Sequence, residues 1–329
     1  MKRILKIVLA VFVVIALIAG FILYRKLTHP SFEPYASLVV SPTARQNPSL
    51  RVVWMGVTTI LLDDGETAIM TDGFFTRPGR LTCLLGKTQP DDARISYALD
   101  KSGVGKLAAV LTAHSHHDHA MDSPEVARRT GALLIGSEST RNIADGLDFP
   151  GDRFRVISGG ETFTFGRFKI IVIKSPHSPD GLFMGNITAP LRPPARISEY
   201  REGGNYSFLI EHDGHRILIH PSANYSPGFL KDVKADVIFL GIGKLGKMDE
   251  GFAEDYWREV VRATGAKVIV PIHWDDFTIP LDEPLQPMPP LLDDFEGGIK
   301  TVLRLAKGDN VAVRFMPLFG SVDISELSP

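Results

Sequence analysis

The first chemical signal in this chain is the run Ala113-His114-Ser115-His116-His117-Asp118-His119. Four of the chain's 10 histidines fall within these residues. His114 and His116 are two apart, so in extended chain both imidazoles point to one side. The segment then turns into a helix whose first turn projects Asp118 and His119 toward a second, neighbouring position. Imidazole nitrogen combined with carboxylate oxygen suits Zn²⁺, with Mn²⁺ or Fe²⁺ as alternatives. Four side chains cannot complete two metal shells, so further ligands are expected from later strand ends. His177 closes the run Ile170-Ile171-Val172-Ile173-Lys174-Ser175-Pro176, and His273 closes Val268-Ile269-Val270-Pro271-Ile272. Each stands where a strand end delivers a ligand.

The elements that must position these groups are visible as patterns. An apolar strand, Leu107–Thr112, leads into the histidine run. Two segments share one plan: Arg51–Asp72 is split by Asp64-Gly65, and Asn205–Ser222 by Asp213-Gly214. Asp-Gly between β-prone runs marks a hairpin. The first hairpin leads to Leu107–Thr112 and the second to Val237–Leu240. Helices are expected over Pro124–Thr130, capped by Ser123 and stopped by Gly131, and over Ala253–Ala263, ending at Gly265. Duplicated hairpin-and-helix units predict an α/β protein with two packed sheets, helices outside, and the site along one edge.

A length of 329 residues accommodates one large domain or two small ones. With 36 Lys and Arg against 38 Asp and Glu, the net charge of -2 provides no basic footprint for nucleic acid. The single cysteine, Cys83, supports neither an intrachain disulfide nor a Cys-based zinc cluster, and is read as a buried apolar residue. At the N-terminus, Lys2, Arg3 and Lys6 precede an apolar run from Ile7 to Tyr24, followed by Arg25-Lys26. As a helix the run is about 27 Å long, close to a bilayer's hydrocarbon thickness. Residues 1–26 are therefore read as a transmembrane anchor, with a cleaved signal segment as the alternative. Three basic residues before the run against two after it place the catalytic part outside the cytoplasm, periplasmic or extracellular. Residues 27–49, rich in Pro, Ser and Thr, read as a tether, 50–322 as the folded domain and 323–329 as a tail.

The His-x-His-x-Asp-His run, the downstream His177 and the segment Ile272-His273-Trp274-Asp275-Asp276-Phe277 resemble the metallo-β-lactamase superfamily over roughly Arg51 to Phe277. Val53-Trp54-Met55-Gly56-Val57-Thr58-Thr59 and Met70-Thr71-Asp72 resemble its branch of sugar-phosphate lactonases and N-acyl-phosphatidylethanolamine phospholipases. The resemblance implies an αββα sandwich of two duplicated halves. It implies one metal at His114, His116 and His177, and another at Asp118, His119 and His273. It further implies metal-assisted hydrolysis, with Asp118 orienting water or carrying its proton, and Asp72 and Asp275 accepting N–H groups of ligand imidazoles.

Where the family usually supplies a bridging Asp, this chain has Ser222, in Ile219-His220-Pro221-Ser222. A neutral hydroxyl cannot offset two dications, so weaker binding of the second ion is expected. His220 becomes a candidate ligand or proton carrier. Gly241-Ile242-Gly243-Lys244-Leu245-Gly246 matches a dinucleotide-binding pattern only formally, because its helix is expected too late to meet a pyrophosphate. The loop Ser178–Gly204 either packs its Phe183, Met184, Ile187 and Leu191 on the sandwich or forms a substrate pocket, with Thr278–Leu292 as another rim. The expected function is a membrane-anchored, zinc-dependent hydrolase of an ester, lactone or phosphodiester, on a small-molecule or lipid-like substrate. The alternatives are a metal-stabilised binding or assembly protein with degenerate catalysis at Ser222, and a mononuclear iron oxidoreductase on the same fold.

Overall fold

The computed structural model describes residues 2–43, 49–179 and 181–327. It begins with α1 (Lys2–Leu27), a helix long and apolar enough to cross a membrane. Its side chains from Arg3 to Leu27, where described, are exposed. Its exposed apolar stretch has the composition of a membrane span or of a signal sequence.

The remaining elements form two seven-stranded sheets among the described residues. The first contains β1 (Arg51–Trp54), β2 (Ile60–Asp63), β3 (Ala68–Thr71), β4 (Ala109–Leu111), β5 (Leu133–Gly136) and β6 (Phe154–Val156). The second contains β7 (Thr162–Phe165), β8 (Phe168–Ser175), β9 (Asn205–His212), β10 (His215–His220), β11 (Val237–Gly241), β12 (Val268–Ile272) and β13 (Ala312–Val313). Near the chain end, β14 (Ser321–Asp323) returns to pair with β1. The strand orders are β14-β1-β2-β3-β4-β5-β6 and β7-β8-β9-β10-β11-β12-β13. In each sheet the first four strands pair antiparallel and the rest parallel. The two halves therefore repeat one topology, except that β14 reaches its place from the far end of the chain.

Strands β1 to β4 of the first sheet are buried on both faces, and successive side chains alternate between two cores, as a two-residue period requires. Val52, Trp54, Leu62, Ile69 and Leu111 join the core shared with Phe168, Ile170, Phe208 and Ile210 of the second sheet. Val53, Leu61, Met70 and Val110 pack instead with Ile95, Leu99, Val126 and Ala127 on the outer face of the first sheet. The helices are α2 (Arg80–Leu85), α3 (Asp92–Ser102), α4 (His117–Ala120), α5 (Ser123–Thr130), α6 (Glu138–Gly146), α7 (Glu250–Trp257), α8 (Phe295–Asp309) and α9 (Ile324–Leu327). Tyr256 and Trp257 of α7, with Ile299 and Val302 of α8, cover the second sheet. The layering is helix, sheet, sheet, helix.

Four expectations are corrected. Ser123 does not cap α5: Asp122 holds the N-cap position, and the Ser123 hydroxyl donates to the carbonyls of Asp72 (2.6 Å) and His119 (3.0 Å). The second helix starts at Glu250, because Asp249 accepts the Phe252 N–H at 2.8 Å. Its end is a π-turn over Arg258–Arg262. The supposed tether is a strap. Phe32 stacks on Trp274 with centroids 4.8 Å apart, Tyr35 is buried, and the Val40 N–H donates to the Phe315 carbonyl at 2.9 Å. Two aromatic rings among its polar residues hold it to the domain; residues 44–48 lie outside the described residues. Nor is 323–329 a tail up to Leu327. Asp323 accepts the Ser49 N–H at 2.7 Å, and Ile324 and Leu327 are buried. The last two residues lie outside the described part.

Candidate metal centre

The candidate ligands sit beyond the ends of β4, β8 and β12, along one edge of the sandwich. Past β4 the chain stays extended to His116, and α4 begins at His117. Ser115 faces away from the site, its hydroxyl bonded to Ser137 (2.9 Å) and Thr140 (3.0 Å). His177 lies two residues beyond β8, and its Nδ1–H donates to the Ser178 carbonyl at 3.1 Å, which turns Nε2 toward the site. His273 directly follows β12 with φ of 57° and donates its backbone N–H to Val57 O at 3.1 Å.

These side chains gather into two three-donor groups, His114-His116-His177 and Asp118-His119-His273, whose ligand atoms within each group lie within 4.8 Å of one another. In the second group His119 Nε2 and His273 Nε2 are 3.2 Å apart. Asp118 Oδ2 is 3.5 Å from each of them. A tetrahedral ion with ligand distances of 2.0–2.1 Å has ligand–ligand edges of about 3.3–3.4 Å. The triangle therefore has the size of one face of such a shell. In the first group His114 Nε2 and His116 Nδ1 are 3.1 Å apart. At that spacing the two nitrogens can share a proton in an N–H···N bond or turn both lone pairs on one cation. The residues fit a divalent metal.

Electrostatics agree with that fit. Burial holds the His114 ring well below its ordinary pKa, and neighbouring imidazoles add to the effect. Burial likewise lowers His116 to about 4 and His177 to about 3. Neutral imidazole is the form that ligates metal. Burial would raise Asp118, but His119, His273 and His117 outweigh it and hold the carboxylate well below its usual range. Burial also works to lower His273, yet its bond to Asp118 and that carboxylate's charge leave it raised.

Asp72 lies behind the second group. It accepts from His119 Nδ1 at 2.8 Å and from the Ala113 N–H at 2.8 Å, fixing the tautomer that points Nε2 at the site. Thr58 joins this set, its hydroxyl 2.9 Å from His119 Nδ1 and in close contact with Asp72. Asp275 does not touch a ligand imidazole by hydrogen bond. Its Oδ1 accepts the Val57 N–H at 2.9 Å, and its Oδ2 pairs with the fully buried Arg77. A Cβ at Gly56 would lie 1.8 Å from Arg77 Nη2, so only glycine admits the guanidinium there. Asp276, the next residue, takes His29 Nε2 at 2.8 Å and Arg80 Nη2 at 2.6 Å.

His220 is not drawn into either group. Its Nδ1 is bonded to Ser207 Oγ at 2.7 Å and its Nε2 to Asn224 O at 2.9 Å, which occupies both ring nitrogens. It is buried beside Phe229 and Tyr256, and burial lowers it to about 4. Ser222 lines the cavity, and its hydroxyl donates to Asn205 Oδ1 at 3.2 Å. The three glycines of the 241–246 motif are required by close packing. A Cβ would come within 2.4 Å of Pro221 O at Gly241, 2.9 Å of His273 O at Gly243 and 1.9 Å of Asp294 O at Gly246.

Five of the six donors, all but the fully buried His119, line a cavity of about 660 Å³. The 178–204 loop divides between the two roles considered for it: Ile187 and Leu191 pack with Phe74 and Ile143, while Leu182 and Phe183 line the cavity. Met288, Pro289, Leu291 and Leu292 from the proline-rich segment line it too, as does half-buried Cys83. Sequence reasoning missed Thr58, Arg77 and the His29–Asp276–Arg80 cluster, none of which carries a spacing signal.

Residues 51–273 match the family described as the Beta-lactamase superfamily domain. A UPF0173 metal-dependent hydrolase of Heliobacterium modesticaldum is 26% identical over 235 residues, covering 70% of this chain and 84% of the relative. A hydroxyacylglutathione hydrolase of Brucella ovis is 34% identical over 94 residues, which are 28% of this chain and only 34% of that enzyme. Among solved structures, Igni18, a metallo hydrolase of Ignicoccus hospitalis, aligns with a TM-score of 0.52 at 18% identity, over 83% of this chain and 97% of its own.

Proposed function

The chain belongs to the metallo-β-lactamase superfamily of metal-dependent hydrolases, and from that premise we propose a membrane-anchored hydrolase that cleaves an ester, lactone or phosphodiester with one or two zinc ions. The observation that carries this reading is the pair of three-donor groups, each with at least two members lining one cavity. Three protein donors leave a tetrahedral ion one open position, the arrangement of catalytic rather than structural sites. A dication bound there supplies Lewis acidity toward water and toward a substrate oxygen.

The chain's own residues do the rest. Asp118 is kept ionised by the imidazoles around it and is the acceptor placed to take a proton from an attacking water. Asp72 and Thr58 keep His119 in one tautomer and orientation. Ser222 adds no carboxylate, so a second ion would be held by Asp118, His119 and His273. The same donors also accept manganese or iron. α1 is read as the anchor, with the catalytic domain on the extracytoplasmic side.

Replacing His116 by Ala tests the reading. Turnover on a panel of esters, lactones and phosphodiesters is expected to vanish and bound metal to fall by about one ion per chain, with circular dichroism unchanged. Retained turnover would defeat it. Metal analysis of the wild-type chain separates the other readings: iron with oxygen-dependent turnover points to an oxidoreductase, and a metal-loaded chain inert on the whole panel points to a binding protein.

A further inference from the structure

We propose that the mouth of the cavity rests on the bilayer crossed by α1, so that the enzyme draws an amphiphilic acyl-chain lipid directly from that bilayer; this rests on the anchor and hydrolase readings above. The foot of α1 is built into the mouth. Leu27, its last residue, lines the cavity, and the Lys26 carbonyl accepts the Leu291 N–H at 2.9 Å. Leu291 and Leu292, on that same rim, are 46% and 49% exposed. Helix α2 lines the same cavity through Arg80, Cys83 and Leu84, and its Leu81, Leu84 and Leu85, spaced three and four residues apart, share one face. They are 76%, 77% and 80% exposed, and α2 buries no residue at all. Short helices survive by burying an apolar face, and this one presents that face to the outside. Leu182, 66% exposed, comes from a third segment lining the same cavity.

Singly scattered exposed leucines are ordinary, but a group of them on the segments that line one cavity marks a contact surface. The structure also supplies its occupant. A helix apolar on every side ends on this rim, so the bilayer surface that α1 leaves is the surface the rim meets. Tyr24, Arg25 and Lys26 at its foot are residue types that settle at the level of lipid headgroups. An apolar mouth above a floor of metal donors matches a molecule with a hydrocarbon chain and a hydrolysable polar linkage.

The test uses the full-length chain reconstituted in phosphatidylcholine vesicles. A bimane label is placed at position 85 through Leu85→Cys in a Cys83→Ser background. The label is expected to be quenched at least twofold by phosphatidylcholine bearing a nitroxide high on its acyl chain, and to be shielded from aqueous iodide. A label open to iodide and indifferent to the nitroxide lipid overturns the proposal. Leu81→Glu together with Leu85→Glu is expected to lower, by about tenfold, the ratio of hydrolysis of a long-chain ester in vesicles to that of its short-chain soluble analogue; an unchanged ratio overturns it as well. His116→Ala is expected to lose both rates and keep the quenching. Quenching with no hydrolysis by the metal-loaded wild type defeats the hydrolase reading, and with it the lipid substrate. Hydrolysis with an iodide-open label defeats the docking alone.

Discussion

Replacing Arg77 by Met tests how the second donor group is held in place. The Arg77 and Asp275 side chains are both fully buried, and the pair is the carboxylate's only charged partner by direct contact among the described residues. Removing the guanidinium leaves Asp275 with a single donor, the Val57 N–H at 2.9 Å. Breaking a buried ion pair from one side costs about 3–5 kcal/mol, because the surviving charge stays in a poorly polarisable surrounding. Unfolding entropy is about 2.1 cal/mol/K per residue, or about 0.6 kcal/mol/K for a domain of about 280 residues, so a loss of about 4 kcal/mol lowers Tm by about 7 °C. Val57 transmits the change to the site, since its carbonyl receives the His273 N–H while its own N–H goes to Asp275. Affinity for the second ion should fall by about 10- to 100-fold, as for other groups that orient metal ligands. Calorimetry gives Tm, and competition against a chromophoric chelator gives the affinity of each site. Arg77→Met combined with Asp275→Asn retains an oxygen for Val57 and removes the stranded charge, so it should recover at least half of the lost stability. A single variant within about 1 kcal/mol of the parent, or a double variant no more stable than the single one, would refute the reasoning.

Asp72→Asn removes the carboxylate that accepts from His119 Nδ1, and should weaken the second ion by about 10- to 100-fold while sparing the first; site-resolved metal titration checks this. His220 makes stability depend on pH. The unfolded ring takes up a proton below about 6.5, while the buried one does so only near 4. Stability should therefore drop as pH falls through that window, by about 2 kcal/mol at pH 5. Urea midpoints at pH 7 and 5 should diverge more for the wild type than for His220→Asn, and equal divergence rejects the assignment. Phe32→Ala removes the ring stacked on Trp274 and should cost about 2 kcal/mol in urea unfolding. A loss below about 0.5 kcal/mol would mean that the strap does not stabilise the domain.

The strap shows where composition misleads. Residues 27–49 have the Pro, Ser and Thr content of a linker, but Phe32 and Tyr35 find aromatic partners in Trp274 and Phe295. Those partners are more than 230 residues away in the chain, counting from Tyr35 to Trp274. Composition averages over such anchors and does not register them. His220 misled for a related reason. Its place two residues before Ser222 is a local property, but its surroundings are set by Ser207, Asn224 and Tyr256, which occupy its nitrogens and cover its ring.

Much of the site was nonetheless readable, because the relevant geometry is short-range. The spacing of His114, His116, Asp118 and His119 follows from an extended segment running into a helix, and both conformations obey local steric rules. The Asp-Gly turns set the hairpins in both halves for the same reason, and the apolar run from Ile7 to Tyr24 identified α1 without reference to any partner. What tertiary structure alone decided was pairing across distance. It brought His177 to His114 and His116, and His273 to Asp118 and His119. It seated Arg77 on Asp275, 198 residues away, and set the foot of α1 on the rim of the cavity. Which side chains meet across the edge of two packed sheets depends on the packing of the whole sandwich, and no local spacing in the chain encodes it.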